Sequence, residues 1–227
     1  MVVDTLRFIL DNLPAIGHRT MQHLSIVGVA VGLAIVTGVP IGIAITQNKR
    51  AADVVLYIAA MIMTIPSIAL FGVMIPLLSL IGQGIGYLPA VCAVLLYSQL
   101  PIIRNTYTAI TNVDPALREA ARGMGMSSMQ RLSQVELPLA VPVIMAGVRI
   151  AVVINIGITA IATYIGAGGL GTFISRGISQ TDSRQLITGA LAVSLLAIFA
   201  DYFLLWVQYR LTPKGLRLTP AQVPRAT

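Results

Sequence analysis

Residues 54–103 carry no charged side chain. A water-facing domain is not built over such a length without charge, because soluble domains carry about 25% charged residues. The whole chain of 227 residues carries 10%, with 56% hydrophobic residues and a mean hydropathy of +0.87. Inside a bilayer the backbone must satisfy its own hydrogen bonds, and an apolar helix needs about 20 residues to cross. The charge-free run therefore predicts two crossings, near 54–78 and 88–107, separated at the glycine-rich GQGIG of 82–86. Other apolar runs predict crossings at 22–46, 139–163 and 186–209. The expected fold is all-α: a polytopic membrane bundle of about five helices.

Charge placement orients the bundle. Thirteen of the fifteen basic residues are Arg, the lysines being Lys49 and Lys214. Lys49 and Arg50 follow the first run, Arg118, Arg122 and Arg131 the third, and Arg210, Lys214, Arg217 and Arg225 the fifth. With five crossings these share one side, which the positive-inside rule makes cytoplasmic. The expectation is a multi-pass plasma (inner) membrane protein with its N-terminus outside and its C-terminus in the cytoplasm. Arg7, Arg19, Arg176 and Arg184 fall on the outer side, so the bias is incomplete. The net charge of +7 is a topology signal, and no nucleic-acid-binding face is expected. The N-terminal stretch lacks a basic segment followed by an apolar one, so no cleavable signal is expected. Leu6, Ile9, Leu10 and Leu13 follow helical spacing and predict a short interfacial helix over 4–17. The organisation is then an N-terminal segment (1–21), a membrane domain (22–209) and a cytoplasmic tail (210–227).

The chain offers little to reaction chemistry. Cys92, the single cysteine, sits in an apolar run and reads as a small core residue. His18 and His23 are expected at the surface or interface. No metal site and no catalytic residue is expected. Gly166-Ala-Gly-Gly-Leu-Gly171 matches G-x-G-x-x-G, but it ends a membrane helix rather than following a strand, so a dinucleotide is not expected. Gly166, Gly168, Gly169 and Gly171 read as an outer turn needing positive φ. There is no G-x-x-x-x-G-K-[ST], so the chain lacks a phosphate-cradling loop of its own.

The segment Glu119–Pro138, EAARGMGMSSMQRLSQVELP, is a polar, arginine-bearing interruption between two crossings. Asp114-Pro115 suits a helix N-cap and first turn. Gly123 and Gly125 end that helix, and the chain is expected to turn back into the bilayer at Leu137-Pro138. This segment resembles the EAA loop of the membrane subunits of bacterial ABC importers. Glu119, Ala120, Ala121, Gly125, Leu137 and Pro138 are in register, and Val135 replaces the usual Ile. The resemblance implies a type I importer fold in which loop 114–138 forms a cytoplasmic coupling helix. It implies partners too: ABC ATPase subunits docked on 115–129, a second permease subunit (identical or similar), and an extracytoplasmic binding protein near 79–88 and 164–184. ATP and Mg would be bound by the partner ATPase, with no cofactor in this chain. Thr64-Ile65-Pro66-Ser67 and Ile165–Gly171 are similar to the permeases for glycine betaine, carnitine and choline. Methionine permeases share the glycine-rich segment, and an amino-acid substrate stays open. So does an ion-coupled transporter or channel.

Polar groups inside the crossings complete the candidates. Thr64, Pro66, Ser67, Asn155 and Thr159 either line a pathway or bond neighbouring helices. Arg149 and Asp201 lie at similar depth and predict an intramembrane ion pair, as clamp or gate. Gly28-x-x-x-Gly32 and Gly38-x-x-x-Gly42 suit close helix approach. Pro40, Pro66, Pro76 and Pro142 are expected to kink or break helices. Trp206, Tyr202 and Tyr209 read as an interfacial belt. No aromatic cage for a quaternary ammonium group is evident.

Overall fold

The computed structural model describes residues 2–212. Lys214, Arg217 and Arg225 of the expected basic tail lie outside them. The described residues are helical throughout, with no strand among them. Helix α1 is Val2–Asp11 and α2 is Leu13–Ala44, continued by a 3-10 turn over Ile45–Gln47. The interfacial helix expected over 4–17 thus stops six residues earlier (17 − 11 = 6). The reason is local: Pro14 has no N–H to give, so it opens a helix rather than continuing one.

The expected crossing at 54–78 is two helices, α3 (Lys49–Thr64) and α4 (Ser67–Ser79), bent by 101°. Pro66 forces the break. The residue before it, Ile65, takes extended backbone (ψ 128) as a pre-proline residue must. The broken pair still runs end to end. It starts beside Ile45 at one end of the bundle. It finishes in the turn leading to Gly86, whose N–H bonds the Ile165 carbonyl at the other (2.8 Å). Pro40, Pro76 and Pro142 sit inside continuous helices instead.

Helix α5 (Tyr87–Thr111) is the axis. It contacts α2, α3, α4 and α8 (Leu137–Thr159), and α10 (Ser183–Leu211) packs on α8. Short helices α6 (Pro115–Gly123), α7 (Ser128–Arg131) and α9 (Gly171–Ser179) join the long ones. Among the described residues four helices are long and apolar enough to cross a membrane, five with the broken pair counted as one.

One of the two glycine motifs is a packing device. A Cβ on Gly42 would lie 2.6 Å from Thr106 Cβ and 3.0 Å from the Ile103 carbonyl oxygen of α5. Gly38 also faces α5, whereas Gly28 and Gly32 have open space. Gly42→Ala is therefore expected to push α2 off α5 and cost about 1–3 kcal/mol, the range for overpacking. Gly28→Ala should leave stability unchanged. Thermal unfolding of the two variants in detergent measures the difference.

Candidate functional site

The segment between α5 and α8 is built from caps. The Asp114 carboxylate accepts from the Ala116 N–H (2.9 Å) and Pro115 takes the first turn of α6. At the other end Gly125 N–H bonds the Arg122 carbonyl (2.9 Å) and Met126 N–H bonds the Ala121 carbonyl (3.1 Å). That is the paired 5→2 and 6→1 pattern of a Schellman stop, which puts Gly125 in the left-handed region at φ +79. Nothing crowds a Cβ there, so backbone conformation alone is what asks for glycine. A capping box between Ser127 and Gln130 then restarts the helix as α7.

The expected turn at Leu137-Pro138 is absent. A π-helical stretch, Leu132–Glu136, runs from α7 into α8 without a break. Pro138 has no N–H and its ring crowds the carbonyl four residues back. A widened turn just ahead of it accommodates both effects while the helix continues. Val135, Leu137 and Pro138 are half-buried along this stretch.

Helix α6 has two unlike faces. Ala121 is buried at 1% exposure, while Glu119 and Ala120 are exposed. Leu117, Met124 (70% exposed) and Met129 (71%) flank them as bare apolar side chains. The inner side is locked by a residue the sequence reasoning missed. Glu136, 6% exposed, accepts from Arg131 Nε (2.9 Å) and lies 3.3 Å from Arg118 Nε. The Arg118 guanidinium also donates to the Ile110 carbonyl in α5. Glu136 thus ties α6, α7 and the start of α8 together. Its signal was available: it is the one acidic residue between Glu119 and Asp182, and it has arginines on its N-terminal side.

Arg149 and Asp201 come together as a bidentate pair, Nε and Nη2 each 2.9 Å from a carboxylate oxygen. Arg149 also donates to Gln208 Oε1 (3.2 Å). The pair lines a groove of about 730 Å³ between α8 and α10, with Ile150, Ile154 and Tyr202. Its charges are spent on each other. The polar residues expected along a pathway do not meet. Thr64, Pro66 and Ser67 sit at the α3–α4 break, with Thr64 and Pro66 exposed. Asn155 and Thr159 are fully buried. Asn155 donates to Ser98 Oγ (2.9 Å) and to the Ala151 carbonyl (2.8 Å). Adjacent residues of α5 serve both places, since Tyr97 hydroxyl donates to the Ile65 carbonyl at the break. A charge inside the expected third crossing also went uncounted: Arg104, exposed on α5.

At the opposite end, Gly166, Gly168 and Gly169 have φ of +79, +78 and +81. A Cβ on Gly168 would lie 2.7 Å from Gln22 Oε1, and one on Gly171 would strike the Ala160 carbonyl. The turn packs on His23, and here the expectation of a surface histidine is corrected. His23 is fully buried, its Nε2 2.9 Å from the Ile156 carbonyl. His18 is exposed as expected. Asp182 caps α10 by accepting from Arg184 N–H (3.0 Å). Hydrogen bonds from the Arg184 side chain, above all, lower its carboxyl from 3.8 to about 2.

With this geometry in place, known proteins can be compared. The family of binding-protein-dependent transport system inner membrane components matches residues 34–214. This chain belongs to that family. The osmoprotectant import permease protein OsmW of Salmonella typhimurium is 57% identical over 215 residues, covering 95% of this chain and 100% of that one. The glycine betaine/carnitine/choline permease protein OpuCB of Bacillus subtilis is 42% identical over 200 residues, 88% and 90% of the two chains. A chain of the inward-facing MetNI methionine ABC transporter superposes with a TM-score of 0.79 at 24% identity, over 87% of this chain and 96% of that one. That likeness shows the fold alone: an all-α membrane bundle like that of this ABC transporter chain.

Removing the Glu136 carboxylate leaves Arg118 and Arg131 without their shared partner. Glu136→Ala is expected to loosen α6 by about 1–3 kcal/mol, the range for hydrogen bonds to charged groups. Hydrogen exchange of residues 115–131 should accelerate accordingly, while α2 and α9 keep their protection. Asp182 gives a pH prediction. Its folded value lies below the ordinary 3.8, so its contribution is present above about 3.8 and is lost as pH falls through about 2. The N-terminal cap of α10 should therefore survive acidification to about pH 4. Carboxyl titration followed by NMR checks it.

Proposed function

We propose that this chain is the membrane-spanning subunit of an ATP-driven importer for a small compatible solute: glycine betaine, carnitine or choline. The observation that carries the mechanism is the two-faced helix α6. Its inner side is clamped to the bundle through Glu136, and its outer side presents Glu119 and Ala120 between bare Leu117, Met124 and Met129. An exposed patch of that kind, rimmed by charge, suits docking to a soluble partner. The partner is an ATPase that binds ATP and Mg and takes α6 as its coupling helix. The substrate class follows from the relatives, whose names concern osmoprotectants, glycine betaine, carnitine and choline. A methionine or other amino-acid cargo has weaker support, since the MetNI likeness speaks for the fold alone.

In this reading the end of the bundle bearing α6 faces the cytoplasm and the glycine turn faces outward. The N-terminus is then outside and the C-terminus cytoplasmic. A binding protein delivers solute over 79–88 and 164–184. A second permease subunit completes the pore. Closure of the ATPases on ATP moves α6 and, through Glu136 and the π-turn, α8. Hydrolysis resets the bundle. The ion-coupled alternative loses its footing because Arg149 and Asp201 saturate each other.

Uptake of labelled glycine betaine, carnitine, choline and methionine by vesicles holding the complete transporter tests the substrate. Glu119→Lys or Gly125→Asp should leave membrane insertion intact while ATP hydrolysis proceeds without uptake. Normal transport by these variants, with all subunits present, removes the coupling role.

A further inference from the structure

Arg104 is a charge in the spanning region that the fold leaves without a counterpart. It lies seven residues before α5 ends at Thr111 (111 − 104 = 7), about 10 Å in from that end. It is exposed, and among the described residues it makes no hydrogen bond or ion pair. Its surroundings on α5 are otherwise enclosed: Pro101, Ile102, Ile103 and Thr106 are all buried.

The break in the second crossing explains the exposure. Tyr97 and Arg104 are two turns apart on one face of α5. Outward of Tyr97 that face is covered by α4, where Ala90, Ala93 and Val94 pack with Leu70, Phe71 and Met74. At Ile65 the Tyr97 hydroxyl closes the cover. Inward of that point α3 diverges from α4 by 101°, and the face carrying Arg104 and Thr108 lies open. Thr64 and Pro66 stand exposed at the break, at the outer margin of the same opening.

A guanidinium at this depth does not face lipid tails; such groups face water-filled cavities or find partners. The chain supplies almost none. Among the described spanning helices the carboxylates are Asp201, held by Arg149, and Asp53, near the start of α3. Glu136 is taken by two arginines. From its described spanning helices, a second copy of this chain therefore brings only Asp53 to offer.

We infer that Arg104 is the anion-holding group of the inner half of the translocation path, and that its counter-ion in transit is the carboxylate of a zwitterionic solute. This rests on the transport of compatible solutes proposed above and narrows it. The planar guanidinium fork matches a carboxylate in bidentate geometry. Glycine betaine and carnitine carry that carboxylate. Choline carries a hydroxyl in its place and gives Arg104 nothing ionic to hold.

Two measurements on the complete transporter decide the matter, thiol labelling in inside-out vesicles and uptake in right-side-out ones. In a Cys92→Ala background, Arg104→Cys should react with a charged, membrane-impermeant thiosulfonate, while the Cys92→Ala parent does not. An unreactive Arg104→Cys overturns the inference. In uptake assays, Arg104→Gln should lower glycine betaine import about tenfold or more, as loss of a charged hydrogen-bonded contact implies. Arg104→Lys should retain a larger share, and choline import should change less than about twofold. Equal loss for both solutes, reproduced by Asp53→Asn, assigns Arg104 to a contact between subunits and overturns the inference. Unchanged glycine betaine import overturns it too. Where choline is not a substrate, the Lys–Gln difference decides, and equal loss in both variants is the negative result. A wild-type transporter that imports no carboxylate-bearing solute removes the substrate reading as well. A wild type that imports glycine betaine beside an unaffected Arg104→Gln removes this inference alone.

Discussion

The architecture depends on how closely other helices approach α5. Lipid tails are as apolar as leucine, so burying apolar side chains between helices gains little in a bilayer, and close packing has to hold the bundle. Glycine makes it close. Gly42 lets α2 rest on Thr106. Gly147 does the same for α8, since a Cβ there would lie 2.6 Å from both Asn105 Cβ and the Pro101 carbonyl oxygen. On another side, buried Ala90, Ala93 and Val94 pack against Leu70, Phe71 and Met74 of α4. At Arg104 and Thr108, by contrast, α5 meets open space.

That close-packed axis is what α6 and α7 are tied to. Helix α6 touches the bundle through few groups, but they are the charged ones. Arg118 reaches the last turn of α5 at Ile110, and Glu136 joins Arg118 to Arg131 at the entrance of α8. A partly buried carboxylate shared by two guanidiniums resists separation more than apolar contacts do, because parting leaves charges uncompensated. The π-turn directly after α7 supplies a local irregularity at which α8 can change direction, whereas α5 continues as regular helix to Thr111.

Much of this was legible in the residues. Apolar runs gave the crossings, because length and hydropathy are the same physical quantity for a spanning helix. The segment between α5 and α8 was legible because caps are local: Asp114-Pro115 and Gly125 act on their own turns. Arg149 and Asp201 could be paired from depth alone, since few charges exist at that depth to choose from. What escaped was angular. Pro66 signalled a break but not that α3 and α4 would diverge by 101°, and with that divergence went the exposure of Arg104. His23 looked interfacial by position, yet its Nε2 meets the Ile156 carbonyl 133 positions away, and Gly169 of the glycine turn bonds the neighbouring Gln22 across 147, contacts that no local pattern encodes. The restart at Leu137-Pro138 was misread because a proline usually marks a turn; a widened helical turn satisfies it equally well.

The paired and unpaired charges show how the bundle separates holding from handling. Helix α10 has few buried residues, Thr188, Gly189 and Leu196, so apolar burial fixes it weakly. Polar contacts do the fixing: Asp201 grips Arg149, Gln208 accepts from the same guanidinium, and Gln208 donates to the Pro142 carbonyl (3.1 Å). The Pro142 carbonyl lies inside α8, and its use here joins the C-terminal end of α10 to the start of α8. A ladder of that kind fixes register between the two helices without drawing on α10's outer face, where Leu195, Phe199, Tyr202 and Trp206 remain bare. A charge that closes such a ladder has no free valence for a passing solute. The group able to meet a solute is the one that the packing leaves open.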